Sequence, residues 1–74
     1  MTTLTLAPQQ IFTNQYLTAT IVEADAERVV VDWYIHSDGD EQQSAYLPGV
    51  VEAYLLANDF QQYHPDRDEL TPLV

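Results

Sequence analysis

The sequence predicts a small α+β domain in two layers, an antiparallel β-hairpin or three-stranded sheet packed against one C-terminal amphipathic helix. Three observations carry that expectation. A period-two run occupies "YLTATIVE", a stronger one occupies "RVVVDWYIH", and apolar residues recur at helical spacing after Leu47-Pro48-Gly49.

In the first run Leu17, Ala19 and Ile21 share one face, and Tyr16, Thr18 and Thr20 the other. That alternation, rich in β-branched residues, predicts a strand over Tyr16 to Glu23. The second run places Val29, Val31, Trp33 and Ile35 on one face and Val30, Asp32, Tyr34 and His36 opposite, over Arg28 to His36. Only the polar "ADAE" separates the two, so they are expected to pair as an antiparallel hairpin. Ser37-Asp38-Gly39-Asp40 is a turn signal, and "QQSAYL" after it fits a third, shorter strand. Beyond Gly49, the residues Val50, Ala53, Tyr54, Ala57 and Phe60 predict one face of a helix, with Glu52, Asp59 and Gln62 on the other. That helix should end near Tyr63-His64-Pro65, because a residue preceding proline is pushed out of the helical region. The tail, 65–74, reads as loose or packed along an edge. For residues 1–15 two readings stay open, an edge strand at Thr3 to Leu6 or a short helix after Pro8. A helical N-terminal half, with Ile11, Phe12, Tyr16 and Ala19 on one face, fits less well with the β-branched density from Thr18 to Val31.

The chain of 74 residues is sized for a single domain near the lower limit for folding alone, which leaves little room for a deep catalytic cleft. Its hydrophobic fraction of 46% and its Trp33, Phe12, Phe60 and five tyrosines supply more core than a disordered acidic tail carries. No cysteine is present, so disulfides and thiolate metal sites are excluded. The first residues lack the basic and apolar regions of a signal peptide, and no apolar run approaches bilayer length. A soluble, cytoplasmic protein is the expectation.

Twelve acids stand against two bases, Arg28 and Arg67, for a formal charge of −10. Direct binding to nucleic acid or to anionic membrane is therefore disfavoured, because both need Lys or Arg to displace counterions. A basic protein surface is the complementary partner. No metal or other cofactor is expected. His36 and His64 are too few for a zinc site, and Asp38 and Asp40 resemble a fragment of a calcium loop that lacks its remaining ligands. No Gly-rich phosphate loop, nucleophile elbow or Cys/His pair is present, so no enzymatic activity is expected and no catalytic residue is assigned.

The segment Val22 to Glu41 holds seven of the twelve carboxylates, Glu23, Asp25, Glu27, Asp32, Asp38, Asp40 and Glu41. If the first strand continued through "EADAE", Glu23, Asp25 and Glu27 would lie on one face at about 6.6 Å intervals, close to the spacing of phosphates along a nucleic-acid strand. Glu52, Asp59, Asp66, Asp68 and Glu69 would supply a second ridge. In size and charge the chain resembles small acidic phage inhibitors of bacterial defence enzymes, of the anti-restriction and anti-CRISPR types. That resemblance implies a nucleic-acid mimic occupying the basic, nucleic-acid-binding surface of a partner protein. The residues assigned to partner binding are the seven carboxylates together with Tyr34 and Tyr63. An alternative is a structural or assembly module docking through Tyr34, Tyr46, Tyr54 and Tyr63, its acids serving solubility. A homodimer through an open sheet edge is compatible with both.

Overall fold

A computed structural model describes residues 5–73. The two alternating runs form the expected hairpin, β2 (Leu17–Ala24) and β3 (Val29–Ile35), joined by a turn. Their apolar face is the one the alternation picks out: Ala19, Ile21, Val29 and Val31 are buried, with Leu17 and Trp33 packed against them. The register shifts between Ile21 and Glu23, leaving Val22 as an extra residue opposite the Val30–Val31 step. The third strand forms as β4 (Glu41–Tyr46), paired antiparallel with β3.

Among the described residues the sheet has six strands, not two or three. A three-residue strand, β1 (Ile11–Thr13), pairs with β2 on one side and with β5 (Gln61–His64) on the other, and β6 (Glu69–Pro72) closes that side. The antiparallel order is β4-β3-β2-β1-β5-β6. β1 is held by Phe12, which is fully buried in the core. Of the two readings left open for residues 1–15, the short helix after Pro8 does not form; a turn takes its place, in which the Gln10 side chain accepts a hydrogen bond from the Ala7 amide at 2.9 Å. Of the alternative strand, Thr3 and Leu4 lie outside the described residues, and Thr5 and Leu6 are not in a strand.

The helix, α1 (Pro48–Ala57), lies between β4 and β5 rather than at the C-terminus. Pro48 suits its first turn, since its fixed φ is already helical and its missing N–H has no helical partner to lose. It stops at Ala57, six residues before the expected end. Asn58 donates its side-chain amide to the Tyr54 carbonyl at 2.8 Å, and Asp59 adopts a left-handed conformation, φ 59°. That reversal returns Phe60 to the core and frees Gln61 to Tyr63 to pair with β1. Its buried residues are Val51 and Leu55, so the face inferred from Val50, Ala53 and Tyr54 is rotated. Apolar side chains run almost all the way round this helix, and spacing alone does not choose among them.

The result is a domain made mostly of sheet, with one short helix covering one sheet face and the core between them. Within 65–74, Glu69 to Pro72 is a paired strand, not a loose tail. Among the described residues, no helix is long and apolar enough to cross a membrane.

Candidate functional site

Because α1 covers a single face, the opposite face of the sheet is open. Strand registers place Glu41, Tyr34, Thr18 and Thr13 in one row across that face, and Gln43, Asp32, Thr20, Ile11, Tyr63 and Leu70 in the next. Strict alternation from Ala19 and Ile21 would send Glu23 into the core. The bulge at Val22 re-aims it, so that Glu23 opposes Val30 on the open face while Ala24 turns inward against Val29. Without that extra residue an unpaired carboxylate would have to be buried.

The consequence is a diagonal of carboxylates. Glu23 on β2 opposes Val30, one step from Asp32 on β3; Asp32 opposes Gln43, one step from Glu41 on β4. Diagonal neighbours in antiparallel strands lie about 7–8 Å apart. The three acids thus cross three strands in a line, and Tyr34 stands beside Glu41, 41% exposed. Asp32 is half-buried in the middle of the face, and Asp32, Asp40 and Glu41 enter no ion pair among the described residues.

The ladder from Glu23 through Asp25 to Glu27 does not form, because β2 ends at Ala24. Asp25 instead accepts hydrogen bonds from the backbone amides of Glu27 and Arg28, both at 2.8 Å, and shapes the β2–β3 turn. The Arg28 amide foremost, then that of Glu27, holds its carboxyl below its ordinary pKa. Glu27 is exposed in the same turn, and the Arg28 guanidinium reaches Glu23 at 3.4 Å.

Asp38 and Asp40 lie at the other end of β3, about 20 Å away by strand rise. Gly39 sits in the left-handed region, φ 72°, where a side chain is strained, and its amide donates to the Ile35 carbonyl at 2.8 Å. Asp38 accepts only a long hydrogen bond, 3.4 Å, from Ser37. The β5–β6 turn comes to the same end of the sheet as the β2–β3 turn, and there Arg67 pairs with Glu69 at 3.8 Å. Both arginines are therefore at one end. The opposite end carries Asp38, Asp40, Glu41 and Asp59 with no arginine or lysine among the described residues.

Tyr63 also faces outward, and its hydroxyl donates to Asp68 at 2.8 Å. That carboxylate, chiefly through the hydrogen bond, raises the tyrosine pKa. The structure thus gathers Glu23, Asp32, Tyr34, Glu41 and Tyr63 on one face, places Asp38 and Asp40 at the end without arginine or lysine, and sets Asp25 and Glu27 at the other. No second ridge assembles: Glu52 is on α1, Asp59 follows it, and Asp66, Asp68 and Glu69 belong to the β5–β6 hairpin.

On the helix side, an apolar groove of about 310 Å³ runs beside β4, with Trp33, Tyr46, Val50 and Tyr54 in its lining. Trp33 meets the Tyr46 and Tyr54 rings edge-on, centroids 6.2 and 5.4 Å away, and donates its indole N–H to the Tyr46 hydroxyl at 3.0 Å. Val50, which the helical spacing turns toward the core, is 51% exposed at this groove. No family model, curated protein or solved structure matches the chain.

Proposed function

We propose that this protein is a non-enzymatic binding protein whose open sheet face and β3–β4 turn occupy the basic, nucleic-acid-binding surface of another protein. The observation that carries this reading is the segregation of charge. Glu23, Asp32 and Glu41 follow one another across the face toward Asp38 and Asp40, while both arginines sit at the far end. A cationic groove lined for phosphates meets carboxylates at about 7–8 Å intervals and no cation facing it along β3 and β4. In the sharp form of the proposal the protein is a nucleic-acid mimic, inhibiting a bacterial defence enzyme by competing for its nucleic-acid site. Complementarity of this kind speeds encounter and weakens as salt rises.

The test is a capture experiment from bacterial lysate at low salt, eluted in parallel by a salt gradient and by excess duplex DNA. A second arm uses the chain carrying Glu23→Gln, Asp32→Asn, Asp38→Asn, Asp40→Asn and Glu41→Gln. The proposal expects nucleic-acid-binding proteins to leave with both eluants and to be absent from the variant arm. Partners that resist salt and DNA and bind the variant equally would overturn it. They would favour docking through Trp33, Tyr46 and Tyr54 instead.

A further inference from the structure

The two edges of the sheet differ. β6 has only four residues, follows a turn with Asp68 in the left-handed region, and ends in Pro72, which has no N–H to offer. β4 has six residues, "EQQSAY", with no proline, lysine or bulge. The Ile35 amide donates to the Asp40 carbonyl at 2.9 Å, which fixes the alternation of the ladder. Gln42, Ser44 and Tyr46 then direct their backbone groups at β3, and Glu41, Gln43 and Ala45 direct theirs away from it.

A strand laid against that edge would meet different chemistry on its two sides. On the helix side lies the groove of Trp33, Tyr46, Val50 and Tyr54, with Tyr54 40% exposed. On the open side lies Glu41, with Asp32 diagonal to it and no arginine or lysine beside them among the described residues. From this we infer that β4 receives an extended segment of the basic partner in which Arg or Lys alternates with apolar side chains. The segment adds as a seventh strand: main-chain bonds to Glu41, Gln43 and Ala45, apolar residues into the groove, cations toward Glu41 and Asp32. This inference rests on the proposed binding of a basic partner and specifies how that partner is gripped. Charge decides against a second copy as the occupant, because two chains of −10 would be brought edge to edge.

The experiment titrates the full, isotope-labelled chain with the probe peptide acetyl-Arg-Val-Arg-Leu-Arg-Val-amide, following amide hydrogen exchange and the Trp33 indole resonance. Two controls accompany it, the same peptide N-methylated at alternate residues and a block peptide, acetyl-Arg-Arg-Arg-Val-Leu-Val-amide. The expected result is slowed exchange at Glu41, Gln43 and Ala45, a shifted indole signal, and binding at least about tenfold tighter than either control. Gln43→Pro removes an outward N–H without touching the β3 ladder, so this variant should keep its fold and lose that preference. Val50→Gln, at an exposed position and with unchanged charge, should weaken the alternating peptide alone. Equal, salt-sensitive binding of the alternating and block peptides without edge protection would overturn strand addition and leave the charge reading standing. Binding of no arginine peptide even at low salt would overturn both. Protection of the three edge amides that rises with protein concentration, without peptide, would make a second copy the occupant and overturn the inference.

Discussion

Between β2 and β3, at residues 25–28, and between β3 and β4, at residues 36–40, the chain turns through acidic residues, and the two turns use their carboxylates in opposite ways. In the first, Asp25 is consumed by the backbone, accepting from the Glu27 and Arg28 amides, and Arg28 answers Glu23. In the second, Gly39 supplies the left-handed residue, so Asp38 and Asp40 are not needed to close the turn. A count of acids treats the turns alike. Hydrogen bonding separates carboxylates that hold the fold from those the fold does not use, and the proposed binding role falls to the latter, at the end without arginine or lysine and on the open face.

Removing charge from the second turn should have the largest effect on binding. The triple variant Asp38→Asn, Asp40→Asn, Glu41→Gln is expected to lose at least about tenfold in affinity for a captured basic partner. Its thermal midpoint should stay level or rise as repulsion is relieved. Titration calorimetry and thermal unfolding on the same samples check both halves. Asp25→Ala should do the reverse, lowering the midpoint while leaving affinity nearly unchanged. Its pH dependence sharpens the point. A carboxyl whose pKa is lowered by folding contributes stability that is fully present above its unfolded value, roughly 3.9, and is lost as pH falls through the folded value. Acid titration of the wild type should therefore show a loss below about pH 4 that is smaller in the variant. The smallest effect is expected at Arg28→Gln. Its pair with Glu23 is exposed at both partners, so stability should change by less than about 1 kcal/mol, with a slight gain in affinity from the cation removed.

Much of this arrangement is legible in the sequence, and the rest is hidden for identifiable reasons. Alternation identifies β2 and β3 and the buried side of each, because Ala19, Ile21, Val29 and Val31 leave no other face for the core. It also places Asp32 and Tyr34 outward. The bulge at Val22 leaves only a faint mark: Ile21 and Val22 are apolar in succession and the alternation then changes phase, a break that the run through Glu23 conceals although it decides where Glu23 points. β5 and β6, "QQYH" and "ELTP", are short and polar, and they form because β1 offers an edge after Asp59 reverses the chain. Local propensity does not contain that information. The groove was obscured by the helix itself, whose Val50 and Tyr54 have the right spacing for a core but lie on the flank toward β4.

The most direct test of the division between the two turns uses two variants that each remove two negative charges. Asp38→Asn with Asp40→Asn alters the end without arginine or lysine; Asp25→Asn with Glu27→Gln alters the turn beside Arg28. The affinity of each for the same captured partner, read at one low salt concentration, separates site from net charge. A loss of about tenfold or more is expected in the first variant and near wild-type affinity in the second. Equal losses in both would show that total charge alone governs binding, and would contradict the assignment of the open face and the β3–β4 turn as the binding surface.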